Sequence, residues 1–151
     1  MATTGIEVRQ ATVADLNLLV SLFDAYRQFY RQPSDPERAH RFLLDRLTRE
    51  QSIVFLAFEG LRAVGFTQLY PSFSSGAMAP ILILNDLFVA SDSRGRGAGS
   101  ALLLAAADYG RRAGALRLVL STEITNTTAQ SVYERLGWKR EATFCVYNLL
   151  L

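Results

Sequence analysis

The chain has 151 residues, 50% of them apolar and 20% charged, which excludes a disordered polymer and a multidomain enzyme. A chain of this length buries roughly 68–70% of the surface its unfolded form exposes, so a full core forms without disulfides or structural metal. The formal charge is only +2, yet Arg94, Arg96, Arg111, Arg112 and Arg117 fall close together, which points to an anionic ligand beside one segment rather than to a nucleic-acid surface.

Cys145 is the single cysteine and has no partner for an intrachain bridge. His40 is the single histidine and lacks the companions a zinc site needs, so no metal is expected. The first ten residues carry Glu7 and Arg9 and no apolar signal core, and no stretch approaches the roughly 18 apolar residues of a membrane span. The expectation is a soluble cytoplasmic protein with no membrane partner.

Residues Ile6 to Arg9 alternate as a short strand, and Thr12 to Asp15 read as a capping box opening a helix that reaches about Arg31. Leu16, Leu19, Phe23, Tyr26 and Tyr30 recur at threes and fours along its buried face. Prolines 33 and 36 break it, and Pro36 suits the first turn of a second helix, to about Glu50, with Ala39, Leu43 and Leu47 inward. Ser52 to Phe58 and Ala63 to Tyr70 form a hairpin about Glu59 and Gly60. A loop is predicted over Pro71 to Pro80, rich in Ser, Gly and Pro, and then a strand over Ile81 to Val89, covered on both faces. A helix over about Gly97 to Ala113, a strand over Leu116 to Thr122, a helix over about Thr127 to Leu136 and a last strand near Phe144 to Leu150 complete the order. Strand and helix alternate in the second half, so the fold class is α/β with a central mixed sheet flanked by helices, in one domain over 1–151.

The informative segment joins the Ile81 to Val89 strand to the following helix through Arg94, Gly95, Arg96, Gly97, Ala98, Gly99 and Ser100. Glycines at 95, 97 and 99 allow close backbone approach and turn amides outward. A helix N-terminus adds roughly half a positive charge, so a pyrophosphate fits. A P-loop would need Lys and Ser or Thr after its last glycine, and the dinucleotide fingerprint a third glycine at 100 or 102; neither is present.

The segment resembles the acetyl-CoA motif R/Q-x-x-G-x-G/A of the GNAT superfamily of N-acetyltransferases, carried by Arg94, Gly97 and Gly99. Downstream, Asn126, Ala129, Tyr133, Gly137 and Trp138 stand in the spacing of the family's second motif. The stretches Tyr26 to Tyr30, Gln68 to Ser75 and Asn85 to Val89 also look like the subgroup that acetylates histones or polyamines.

The resemblance implies a GNAT fold and an acetyl-CoA-dependent N-acetyltransferase, with acetyl-CoA as co-substrate. It implies that the backbone of Leu87, Phe88 and Val89 pairs with the pantetheine arm as an added strand, and that the amides of Arg96 to Ser100 hold the pyrophosphate. Asn126 and Ala129 then touch the cofactor and Tyr133 is its general acid, although Asn126 also suits a helix cap and Tyr133 a packed helix face. The reaction is direct attack of a neutral primary amine on the thioester. A lysine-type amine has a pKa near about 10.4 and must first lose a proton. Relatives often carry a glutamate where this chain has Asn85, so the base is Asp86, Glu123 or water. Tyr26, Tyr30 and Tyr70 form an aromatic wall for a cationic amine, or simply core.

The competing reading is a non-catalytic acyl-CoA-binding module, which would have no need of a phenol at Tyr133. A nucleic-acid partner is disfavoured by the near-neutral charge and the absence of Lys-rich or aromatic-interleaved strips. The partners expected are a small-molecule or lysine-type amine and a second copy, a homodimer suggested by the apolar closing strand.

Overall fold

The computed structural model describes residues 5–151. The chain forms two compact units, Met1–Ser121 and Thr122–Leu151.

In the first unit, β1 (Ile6–Gln10), β2 (Ile53–Glu59), β3 (Arg62–Ser74), β4 (Ala79–Val89) and β5 (Leu118–Val119) make one sheet in that order. All neighbours are antiparallel except β4 and β5, so the sheet is mixed. Helices α1 (Leu16–Phe29) and α2 (Pro36–Thr48) pack on one face. There Leu19, Phe23 and Leu43 join Val54, Leu56, Phe66 and Phe88 in a continuous core. The alternate residues of the strands turn to α3 (Ala98–Arg112) on the other face, where Phe55 meets Tyr109 and Leu82 approaches Gly110.

Local chemistry sets the helix ends as expected. Thr12 and Asp15 make the capping box, although a short 3-10 turn, Val13–Asp15, precedes α1. Asp15 also takes both guanidinium nitrogens of Arg9, at 2.8 and 2.7 Å. Asp35 accepts from Arg38 N at 3.1 Å with Pro36 beside it at the start of α2. The loop between α1 and α2 is held by Asp24, which accepts from Ser34 Oγ at 2.6 Å and Asp35 N at 2.8 Å.

Three expectations are corrected. The loop expected over Pro71 to Pro80 is mostly strand, because β3 runs to Ser74 and β4 starts at Ala79. Pro80 is tolerated because its carbonyl accepts from Leu116 N at 2.8 Å on the side away from β3, so its missing N–H takes nothing from that ladder. The strand expected over Leu116 to Thr122 shrinks to Leu118–Val119, paired only with Leu82 and Ile83.

In the second unit, α4 (Thr127–Arg135) is capped by Asn126 and is followed by residues in neither helix nor strand. The strand expected near Phe144 to Leu150 is therefore not formed; Phe144 and Tyr147 are exposed, and an apolar run makes no strand without a neighbour to bond. Among the described residues, no helix is long and apolar enough to cross a membrane, and no group of three His, Cys, Asp or Glu could hold a metal ion.

Candidate active site

The sheet opens at its parallel end. Beyond Ile83 the ladder to β5 stops, and β4 continues to Val89. Ala90 N donates to Val64 O at 2.8 Å, so the alternation of an antiparallel ladder turns the N–H and C=O of Val89 and Leu87 away from β3. Phe88, between them, bonds inward and buries its ring under α1. The outer edge of β4 is thus a strand template.

That edge runs into the glycine turn. Gly95 and Gly97 take φ of 76° and 89°, the left-handed region that glycine occupies without steric cost. Gly99 does not, and a Cβ there would meet only Val89 Cγ2 at an ordinary 3.9 Å. Two of the three glycines are therefore dictated by backbone shape. Gly97 caps α3 without a side chain, and the first helical bond runs from Ala101 N to Gly97 O, so the helix ladder does not use the amides of Ala98 and Gly99.

The two arginines of the turn are not both aimed at it. Arg94 Nε donates to the outward carbonyl of Val89 at 3.0 Å, and its guanidinium lies over the rings of Phe29 and Phe88 at 5.1 and 5.7 Å. Arg96 pairs with Glu59 at 2.9 Å.

On the helical face of the sheet a second feature appears. The register of β3 and β4 shifts between Gln68 and Leu69: Gln68 pairs with Asp86 and Leu69 with Leu84, leaving Asn85 as the extra residue of a bulge. Leu82 faces α3, as strict alternation would make Asp86 do. The bulge reverses the parity and turns Asp86, with Phe88, toward α1.

Asp86 is buried, 3% exposed. Its carboxylate accepts from Gln68 Nε2 at 2.7 Å, from Asn85 Nδ2 at 3.2 Å and from the Tyr26 hydroxyl, and it makes no salt bridge among the described residues. Burial pushes its pKa above the ordinary carboxylate value, against the pull of those hydrogen bonds. Tyr26 is pushed up by burial and by the carboxylate beside it, and Tyr70 to about 12 by the same two causes. Tyr26 packs edge-on against Tyr30 and Phe66, at 5.0 and 5.8 Å, and Tyr26 and Tyr70 both act on Asp86.

The remaining candidates lie in the second unit. Asn126 Oδ1 accepts from Ala129 N at 3.2 Å, a helix cap that leaves its Nδ2 as a donor. Tyr133 stands two turns further along α4 with its ring 6.1 Å from that of Trp138. Glu123 is exposed, and its backbone carbonyl accepts from Gln130 Nε2 at 3.1 Å.

Gln68 was given no role by the sequence. Its signal was a long polar side chain between the apolar Phe66 and Leu69; the register that sets it opposite Asp86 appears only in the fold.

Comparison with known proteins identifies the family. The model of the acetyltransferase (GNAT) family matches residues 19–138, spanning both units, and the chain belongs to that family. It is an N-acetyltransferase with the GNAT fold. It is 46% identical over 144 residues, 95% of its own length and 97% of the relative's, to an uncharacterized N-acetyltransferase, YhfO, of Bacillus subtilis (strain 168). The crystal structure of a probable acetyltransferase superposes with a TM-score of 0.91 at 40% identity, covering 96% of this chain and 97% of that one. The aminoglycoside N-acetyltransferase AAC(6')-Iy in complex with CoA shares the fold, with a TM-score of 0.80 at 20% identity over 95% and 94% of the two chains.

Proposed function

We propose that the enzyme moves an acetyl group from acetyl-CoA to a primary amine, and that residues 1–151 act as one domain. The observation that carries this reading is the open outer edge of β4 running directly into the glycine turn. An extended amide-bearing arm fits the outward groups of Leu87 and Val89, and a pyrophosphate fits the amides of Arg96, Gly97, Ala98, Gly99 and Ser100. Binding of CoA by the fold neighbour AAC(6')-Iy supports the same ligand here. Acetyl-CoA supplies the activated thioester carbonyl.

The chain's own residues handle the amine and two protons. A primary ammonium meets the aromatic surface of Tyr26, Tyr30 and Tyr70 and then the carboxylate of Asp86, which has no cationic partner among the described residues. Asp86 takes the ammonium proton, leaving a neutral amine and a carboxylic acid; its elevated proton affinity suits it to that transfer better than exposed Glu123. Tyr133 donates its phenolic proton to the departing thiolate, and the second nitrogen proton, shed as the amide forms, returns to the tyrosinate through solvent. Asn126 spends its oxygen on the helix cap and keeps its amide N–H for the cofactor, with Ala129 beside it.

Tyr133→Phe tests the reading against a non-catalytic acyl-CoA module. It is expected to bind acetyl-CoA as the unaltered enzyme does while kcat falls about 10²–10⁴-fold. A folded variant keeping more than about a third of kcat would assign Tyr133 to packing. The acceptor belongs with the lysine-type and polyamine amines of the resembling subgroup, and the site of action is cytoplasmic. A homodimer is supported by the exposed apolar side chains Phe144, Val146, Tyr147, Leu149, Leu150 and Leu151; a monomeric mass in light scattering at micromolar concentration would remove it.

A further inference from the structure

Gln68 and Asp86 form a buried cross-strand pair beside the bulge. Gln68 is 0% exposed, and while its Nε2 holds Asp86 Oδ2, its Oε1 is buried without a hydrogen-bond partner. An orphaned carbonyl is costly, and an apolar side chain at this position would avoid it. The amide is therefore better explained by what it does for the acid than by packing.

We propose that Gln68 is a positioning residue for Asp86: it clamps the ionised carboxylate with its N–H and, by turning its amide end for end, offers its carbonyl to the acid once Asp86 carries a proton. This rests on the reading of Asp86 as the base. An ionised carboxyl only accepts hydrogen bonds, whereas a protonated one also donates. A primary amide holds a donor and an acceptor at nearly equivalent positions, so one half-turn preserves the contact in both states and the carboxyl need not move as the proton comes and goes. Asn85 Nδ2 can donate to Oδ1 in either state, so the oxygen whose partner must change with the proton is Oδ2, the one Gln68 holds. Among the described residues, the ionisable groups acting on Asp86 are Tyr26 of α1 and Tyr70 of β3; Tyr30 acts on Tyr26 and Arg46 of α2 on Tyr70, so no cation among them takes over the role of the amide.

The test is NMR titration of the whole chain, following the Asp86 side-chain carboxyl carbon and the Gln68 side-chain amide, beside the pH profile of kcat/KM. In the unaltered protein both signals are expected to move with one midpoint. In Gln68→Leu the Asp86 midpoint is expected to rise by roughly half to one pH unit, because the charge-assisted bond lost to the carboxylate is about twice as strong as the neutral bond lost to the acid. The loss of rate then falls on the acid side and shrinks as pH rises. Gln68→Met, which keeps the length of the side chain, serves if the leucine variant does not fold. A Gln68 amide signal indifferent to the titration of Asp86 would overturn the proposal, as would a folded variant slowed equally at every pH with the Asp86 midpoint unmoved. If the midpoint moves and the rate profile does not follow it, the clamp stands and the assignment of Asp86 as base falls.

Discussion

Gly97 offers a perturbation whose cost the backbone fixes in advance. Its φ of 89° lies in the left-handed region and a Cβ there would meet nothing within 4 Å, so Gly97→Ala carries a conformational penalty and no clash. That penalty is about 1–2 kcal/mol. If the turn keeps its shape, the whole cost appears as lost stability. If the free turn relaxes instead, part of the stability returns, and the cofactor must force the turn back before the amides of Ala98 and Gly99 face the pyrophosphate. The affinity then drops by up to roughly 5- to 30-fold. Stability loss and affinity loss should therefore sum to about 1–2 kcal/mol. Urea unfolding and calorimetric titration with CoA measure the two parts. Gly99→Ala is the control, since its φ is ordinary and its Cβ would make only the 3.9 Å contact with Val89; the free protein should be as stable as before or slightly more so. Gly97→Ala that is as stable and binds CoA as tightly as the unaltered protein would refute the reasoning.

Asp86→Asn should melt at least as high as the unaltered protein at pH 7. Burial raises the folded-state pKa of Asp86, so its ionisation costs stability once pH passes the unfolded value near 3.8 and the variant escapes that cost; the advantage should vanish below about pH 3. The same change should lower kcat about 10²–10⁴-fold in a steady-state assay. Asp15 behaves in the opposite sense, because Arg9 lowers its pKa to about 2, so its stabilisation is present above about 3.8 and is lost as pH falls through the folded value. Asp15→Asn should cost about 1–2 kcal/mol in urea melts at pH 7, discounted because the Arg9 side chain is 53% exposed, and much less at pH 2.

What the sequence disclosed was local. The glycine turn, the capping residues Thr12 and Asn126, and the proline at the start of α2 each act within a few positions of themselves, and the structure uses each of them. What it concealed depends on pairing across strands. Nothing adjacent to Asn85 marks it as a bulge, yet that one extra residue decides that Asp86 faces the tyrosines and Gln68 rather than α3. The Pro71 to Pro80 stretch has the composition of a loop but gains ladder partners from the opposing strand. Arg94 and Arg96 count equally as charge beside the turn in the sequence. In the fold one stacks on Phe29 and Phe88, and the other spends its charge on Glu59.

The central claim is that this chain transfers acetyl from acetyl-CoA to a primary amine, and the most direct measurement is the stoichiometry of that transfer. With acetyl-CoA and a panel of lysine-type amines and polyamines, thiol release and acetylated amine are expected in equal amounts, with almost no thiol released when amine is omitted. Tight binding of acetyl-CoA with no acetylated amine from any member of the panel, or thiol release at the same rate without amine, would contradict it.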